Sequence, residues 1–377
     1  MPSSPSPSRI RRIRVRLCGS GRTSYPVHVG NGLLRSLSRS LRETAPAHRY
    51  FIITDSNVGR LYGRRCLSLL KRAGLDAHLL SVPAGERSKT RETKSKLEDR
   101  ILALGGGRDS AVVALGGGMI SDLAGFTAAT FHRGIPFVPV PTTLLAMVDA
   151  AIGGKTVVDH PRGKNLIGAF HQPRAVFADV ATLATLPERE FRSGLAEVVK
   201  TAVVGDAVLF HRMEKSPVAI LTRHPPALAD LVAACCRVKA RVVEADEREM
   251  NLRAVLNFGH TLGHALEHLL GYKMAHGEAV AVGMVLESRA AEAAGILMRG
   301  EADRITALLE RLGLPTCLPA GIDPDRILDA ARADKKSRKG ELRYALPTRI
   351  GDMARREGRY AIPLSDALVL SLLTCLS

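Results

Sequence analysis

Five short apolar runs, each followed by a segment long enough for a helix or a turn, constrain the first half of this chain more than any other feature. They are Tyr50–Thr54, Ala77–Val82, Ala111–Leu115, Pro136–Val140 and Ala175–Ala178. Short runs rich in Val, Ile and Phe read as strands, and their alternation with helical segments predicts βαβ units around a parallel sheet. From about Leu186 the pattern changes. Ala227–Glu247, Thr261–Leu270, Glu278–Ala294 and Ala302–Leu312 carry apolar residues at helical spacing and few strand signals. The expected architecture is an α/β N-terminal domain with a Rossmann-like parallel sheet over residues 1–186, and a mostly α-helical C-terminal domain over 187–377. Residues 1–12 read as a loose leader. The boundary falls at Leu186-Pro187, because proline disfavours helix in the residue before it.

Hydrophobic residues make up 46% of the chain, aromatics only 4%, and Trp is absent, so the cores must be built from Leu, Val, Ile and Ala. No apolar run approaches the roughly 18–20 residues that span a bilayer. The N-terminus is Ser/Pro-rich and then Arg-rich, without the apolar stretch of a signal peptide, which predicts a cytoplasmic protein with no membrane partner. The six cysteines are scattered and form no CxxC pair, so reduced thiols are expected rather than a disulfide framework. The net charge of +17 comes from dispersed basic residues with no interleaved aromatics. That pattern fits attraction of small anions into a cleft better than a nucleic-acid partner.

Three groups of residues carry chemistry. The first follows strands. Leu115-Gly-Gly-Gly-Met-Ile-Ser-Asp122 leaves the third run and opens a helix, where glycines and a helix N-terminus can meet a pyrophosphate. The spacing is not GxGxxG, and Asp122 could equally be a helix cap. Gly85-Glu86-Arg-Ser-Lys89 and Pro141-Thr142-Thr143 are strand-end loops with groups that suit ribose or phosphate.

The second group is Asn257-Phe-Gly-His260-Thr-Leu-Gly-His264-Ala-Leu-Glu267-His268, followed by His276-Gly-Glu278. His260 and His264 are four apart, so a helix puts them on one face as candidate zinc ligands. Spacing favours this pair but does not decide which two of the three histidines bind metal. Glu197 and Lys200 share a face of an apolar segment, and are either functional or an ordinary ion pair. The third group sets basic residues beside glycines: Arg133-Gly134, Gly153-Gly-Lys155-Thr156, Gly163-Lys164-Asn165 and Leu252-Arg253. Gly154-Lys155-Thr156 is not a P-loop, because Asp149 stands where that motif needs its first glycine.

Together these motifs, from about Thr54 to Gly351, resemble the 3-dehydroquinate synthase family. The resemblance extends through Pro139–Asp149, Gly163–Phe170, Thr185–Glu190, Gly194–Lys200, Leu252–His264, His276–Glu278 and Asp334–Lys336. It implies an NAD-binding domain, a helical metal-binding domain, and a carbon–oxygen lyase of the shikimate pathway. That enzyme makes 3-dehydroquinate and phosphate from 3-deoxy-D-arabino-heptulosonate 7-phosphate by transient oxidation, phosphate elimination, re-reduction and aldol closure. The metal ligands it implies are Glu197, His260 and His276, with zinc or cobalt as the ion, which displaces His264 from the pair that spacing favours. It implies NAD contacts at Asp55, Glu86, Lys89, Gly117, Gly118, Asp122, Thr142, Thr143, Lys155, Lys164, Thr182 and Thr185, with Ser193 a further position. Substrate and acid–base positions are Arg133, Asp149, Lys155, Asn165, Lys200, Lys239, Glu249, Arg253, Asn257, His264 and Lys336. Family members are often homodimers. The competing expectations are a related sugar phosphate cyclase of the inosose or valiolone type, and a metal-dependent polyol dehydrogenase.

Overall fold

A computed structural model describes residues 10–17, 24–333 and 342–375. The chain divides into two compact units. Unit 1 comprises Met1–Leu186 with Pro225–Glu244, and unit 2 comprises Pro187–His224 with Ala245–Ser377. The segment 225–244 was expected in the helical half. It joins unit 1 instead, a correction to the boundary drawn from helical periodicity alone.

Unit 1 opens with strands β1 (Arg11–Val15) and β2 (Tyr25–Gly30), paired antiparallel. Helix α1 (Leu37–Thr44) leads to β3 (Arg49–Asp55), α2 (Arg64–Arg72), β4 (Asp76–Val82), α3 (Arg91–Ala103), β5 (Ser110–Gly116), α4 (Gly118–Thr130) and β6 (Phe137–Pro141). The sheet order is β4-β3-β5-β6, and all its neighbours run parallel. Strands β3, β5 and β6 are buried on both faces, as parallel strands are when helices cover each side, while the edge strand β4 leaves Asp76 and Ser81 exposed. Alternation of side chains divides them cleanly. Phe51, Ile53, Val112 and Ala114 face Leu97, Ile101, Leu123 and Ala124. Tyr50, Ile52, Ala111, Val113 and Leu115 face Leu37, Leu41, Cys66 and Leu70.

Two departures from expectation concern the remaining strands. The fifth apolar run forms β9 (Val176–Asp179), but it pairs parallel with β2 in a separate three-stranded sheet rather than extending the first. The glycine-flanked basic motifs at 153–156 and 163–170, which the sequence did not mark as strands, are largely extended. They form most of an antiparallel hairpin, β7 (Lys155–His160) and β8 (Gly163–Phe170).

Unit 2 contains α5 (Glu188–Gly205), α6 (Ala207–Lys215), α8 (His260–Leu269), α9 (His276–Ala293), α10 (Glu301–Arg311), α11 (Pro324–Ala333) and α12 (Asp366–Cys375), while α7 (Pro225–Ala245) belongs almost wholly to unit 1. Its core joins Leu262, Ala265 and Leu266 of α8 to Ala279, Val282 and Leu286 of α9, the i, i+3, i+4 spacing of a buried helical stripe. No described helix is long and apolar enough to cross a membrane.

One contact in unit 2 places α9 against α5. The Gly277 N–H donates to Ser193 Oγ at 2.9 Å. A Cβ on Gly277 would stand 2.0 Å from the Ser193 carbonyl oxygen, so only glycine allows this approach. Ser193 lies one helical turn before Glu197, and Gly277 adjoins His276, so the close packing sets the distance between those two side chains. Gly277→Ala is expected to lose about 2–3 kcal/mol through overpacking. The check is a denaturant unfolding midpoint measured beside the parent protein, and an unchanged midpoint would count against this account of the contact.

Candidate active site

In unit 1 the strand ends gather most of the nucleotide candidates. Asp55 ends β3, Glu86 and Lys89 follow β4, Gly117 and Gly118 follow β5, and Thr142 and Thr143 follow β6. Because the four strands are parallel, all these positions lie along the carboxyl edge of one sheet. The chain places β4 on one side of β3 and β5 on the other, so the strand order reverses there. That is where open α/β sheets bind ligands. Thr182 and Thr185 lie in the turn after β9, where the Thr185 hydroxyl contacts the Tyr62 hydroxyl at 2.6 Å.

Asp122 is not the cap of α4. It sits in the helix and pairs with Lys89 Nζ at 2.8 Å. Lys89, almost fully buried, also donates to Glu86 at 3.3 Å and to Asn165 Oδ1 at 2.6 Å. Burial pushes the Asp122 carboxyl up to about 6 against the pull of Lys89, and the nearby charges of Glu86 and Asp149 push the same way. Burial opposes the charge on Lys89, but Asp122 and Glu86 together hold it above the usual lysine range. Asn165 adopts a left-handed backbone (φ 57°) at the tight end of the β7–β8 hairpin, and its N–H donates to Asp159 Oδ1 at 2.8 Å. A predicted cofactor residue and a predicted substrate residue are thus bonded directly.

Asp55 caps the next turn by accepting from the Asn57 and Val58 N–H groups. Thr143 Oγ1 accepts from the Ala146 N–H. The Thr142 hydroxyl is buried with no partner among the described residues. Lys155, Lys164 and Arg133 are exposed, and Arg133 has a left-handed backbone (φ 68°). Asp149 and Lys239 form a second ion pair, joining the β6 side of unit 1 to α7.

Unit 2 holds the metal candidates. Glu197 lies in the middle of α5 at 1% exposure, while His260 and His276 are the first residues of α8 and α9. Glu197 Oε1 stands 3.4 Å from His260 Nε2 and 3.4 Å from His276 Nε2. Two atoms each ~2.0–2.1 Å from a tetrahedral zinc ion stand ~3.4 Å apart, so this spacing fits a shared ion. Both Glu197 oxygens are buried without a hydrogen bond of ordinary geometry, although the Lys200 ammonium touches one of them. Burial alone would raise the Glu197 carboxyl. Lys200 and His276 beside it instead hold it down at about 2.

The outer nitrogens are oriented as metal-bound histidines require. His260 Nδ1 lies 3.1 Å from the Phe258 carbonyl, and His276 Nδ1 lies 3.1 Å from Glu267 Oε2. A proton on each Nδ1 leaves Nε2 as the ligand atom facing Glu197. Glu267, His264 and His276 could also form a three-residue group. Because Glu267 Oε2 already meets His276 Nδ1 while His276 Nε2 faces Glu197, we assign Glu267 to orientation. The His264 ring centroid is 5.2 Å from that of His260 and 5.9 Å from that of His276, beside the ligand set but outside it. The pair favoured by helical spacing, His260 with His264, is therefore not the pair that converges on Glu197.

Arg253 is buried, donating from Nη1 to the Glu247 carbonyl at 2.7 Å, and Asn257 ends the turn that leads into α8. Glu249 has a left-handed backbone (φ 59°) in the loop before Arg253. Lys336 lies outside the described residues. The sequence reading gave no role to Glu267, Asp246 or Glu287. Glu267 stands one turn after His264, which was the available signal. Asp246 accepts backbone N–H bonds from Met250, Asn251 and Arg253, which nothing in local spacing announces.

Comparison with known proteins agrees across the chain. The model described as 3-dehydroquinate synthase N-terminal matches residues 79–193, and the one described as 3-dehydroquinate synthase C-terminal matches residues 194–337. The 3-dehydroquinate synthase of Pelobacter propionicus is 50% identical over 333 residues, covering 88% of this chain and 92% of that protein. The 3-dehydroquinate synthase of Desulforamulus reducens is 47% identical, with 88% and 93% covered. Among solved structures, 2-deoxy-scyllo-inosose synthase complexed with carbaglucose-6-phosphate, NAD⁺ and Co²⁺ has a TM-score of 0.88 at 28% identity, covering 96% of this chain and 99% of that one. The 2-epi-5-epi-valiolone synthase of Streptomyces hygroscopicus, with NAD⁺ and Zn²⁺ bound, has a TM-score of 0.85 at 30% identity, covering 96% and 99%.

Metal retention separates the ligand sets. After dialysis, Glu197→Ala, His260→Ala and His276→Ala are each expected to lose the bound metal, while His264→Ala keeps about one ion per chain by mass spectrometry. Loss in His264→Ala with retention in His260→Ala would overturn the assignment. A second expectation concerns protons. Burial disfavours a charge on His276, but Glu197 and Glu267 outweigh it and raise the metal-free ring to about 9. A ligand imidazole must be neutral, so metal uptake at pH 7 should release about one proton and tighten as pH rises towards 9. Calorimetry in buffers of differing ionisation enthalpy reads that number directly. Zero release would contradict the protonated state.

Proposed function

From the premise that the chain belongs to the 3-dehydroquinate synthase family, we propose that it is an NAD- and metal-dependent cyclase. Its reaction converts 3-deoxy-D-arabino-heptulosonate 7-phosphate to 3-dehydroquinate and phosphate, a step of the shikimate pathway. The observation that carries the reading is the convergence of Glu197 and the two imidazoles around one buried point, with Lys200 against the same carboxylate. Identity supports the dehydroquinate product: relatives of that name are 47–50% identical, against 28–30% for the inosose and valiolone cyclases.

In this reading Glu197, His260 and His276 hold a zinc or cobalt ion, with the buried carboxylate oxygens and the 3.4 Å spacings as the evidence of fit. The carboxyl edge of the parallel sheet holds NAD through the α4 N-terminus at Gly117 and Gly118, the unpartnered Thr142 hydroxyl and the Glu86–Lys89–Asp122 group. When bound, the nicotinamide takes up and returns a hydride and the cation polarises an alcohol oxygen.

The chain's own groups bind and orient the substrate. Lys155, Arg133 and Asn165 of unit 1 are candidate contacts for its anionic and hydroxyl groups, and so are Arg253, Asn257 and His264 of unit 2. Lys200 lies against the buried Glu197 carboxylate, one helical turn away. His264, outside the ligand set, and Glu249 move protons. The Lys239–Asp149 pair fixes both side chains without leaving a buried charge uncompensated. Positioning carries most of the rate, because the substrate supplies its own leaving group and its own aldol partners. The same reading places the protein in the cytoplasm, as a homodimer acting on a small sugar phosphate.

Incubation with the heptulosonate phosphate, NAD⁺ and zinc should release inorganic phosphate with no net NADH. Chelator-treated protein should lose at least 100-fold in rate and regain it with zinc. NADH accumulating in step with substrate would point to a dehydrogenase instead, and full activity after metal removal would refute the metal's role.

A further inference from the structure

We propose that Glu287 is a positioning residue that sets the orientation of His260 from the neighbouring helix. This rests on the metal-site reading above and goes beyond it to a residue outside the ligand set.

Glu287 is fully buried, at 0% exposure, past the midpoint of α9. A carboxylate in such a place is costly unless donors surround it. Its partners are the first turn of α8. The Gly259 N–H donates to Glu287 Oε2 at 2.7 Å, and the Leu262 N–H donates to Oε1 at 3.3 Å. Gly259 holds the cap position of α8 in a left-handed conformation (φ 77°) and has no side chain with which to cap. Normally the capping side chain accepts the N–H two or three residues into the helix. Leu262 is that residue here, and Glu287 supplies the missing acceptor from α9. The negative charge also sits at the positive end of the α8 dipole.

The first residue of α8 is His260. Its ring is tied through Nδ1 to the Phe258 carbonyl, so its direction follows the backbone on either side of Gly259. That backbone lies directly on α9. A Cβ on Gly283 would come within 2.0 Å of the Gly259 carbonyl oxygen and 2.9 Å of the Gly263 nitrogen. Glycine therefore permits the contact, and the Glu287 carboxylate fixes its rotation. His276 opens α9, and Glu287 follows it by about three turns of the same helix. One rigid element thus presents a ligand at one point and anchors the ligand-bearing turn of α8 at another. Carboxylates that orient a ligand indirectly commonly change metal affinity by about 10–100-fold when removed.

E287Q keeps the size and one acceptor oxygen but turns an amide toward an N–H. It is expected to weaken zinc binding 10–100-fold in a chelator competition and to shift the visible bands of the cobalt-loaded protein. Saturating zinc should return its turnover to within several-fold of the parent. A merely structural role would lower the melting temperature and leave the metal affinity and cobalt spectrum unchanged, and that result overturns the proposal. H260A is measured beside it. If H260A keeps the metal, the site reading itself fails. If H260A loses metal while E287Q binds it as the parent does, only this inference fails. Should E287Q not fold, E287D keeps the charge, withdraws it by one methylene, and decides by the same two readings.

Discussion

A carboxylate at 1% exposure cannot stay charged in a helical core without neighbours, and the structure of unit 2 follows from how Glu197 is accommodated. Lys200, one turn along the same helix, touches one oxygen, and two imidazoles from the starts of two other helices face the other. Bringing three helix segments to one point requires close backbone approach, which the Ser193–Gly277 and Gly259–Gly283 contacts provide. The surrounding carboxylates then divide the work. Glu267 turns a histidine ring, Glu287 seats a helix start, and Glu278 holds Arg189 while accepting from the Ala275 N–H at the head of α9.

Unit 1 solves a different problem, that of an edge prepared for a polar ligand. Its parallel strands end together, so short loops after β3, β4, β5 and β6 present backbone and hydroxyl groups along one line. Lys89 binds these loops to the β7–β8 hairpin by meeting Asp122 and Asn165 at once. A buried ion pair of this kind adds little to stability against a well-packed apolar alternative. Its value lies in fixing one loop geometry, because the ammonium satisfies all its partners only when the hairpin and the strand-end loop keep their register.

The comparisons and the geometry bear on different parts of the same conclusion. Identity near 50% over nearly the whole chain places it in its family. Neighbours below 25% identity, such as maleylacetate reductase from Agrobacterium tumefaciens at 16% with a TM-score of 0.67, share the fold alone. The local chemistry of Glu197, His260 and His276 is what ties that membership to named atoms.

By itself the sequence determined the four strands of the parallel sheet and helices α8, α9 and α10 of unit 2, because central strands covered on both faces give short continuous apolar runs and helices buried on one face give a period of about 3.6. It also located the reactive stretches, since glycines beside charges and clustered histidines are unusual locally. The tertiary structure alone decided what depends on residues far apart in the chain. It moved α7 into unit 1, paired β9 with β2, folded the basic motifs into a hairpin that buries Thr156 and Val158 on one face, and made Asp122, one of whose two readings was a cap, a partner of Lys89. It set His276 rather than His264 beside Glu197 with His260, because helical spacing says which side chains share a face and nothing about which distant helix that face will meet.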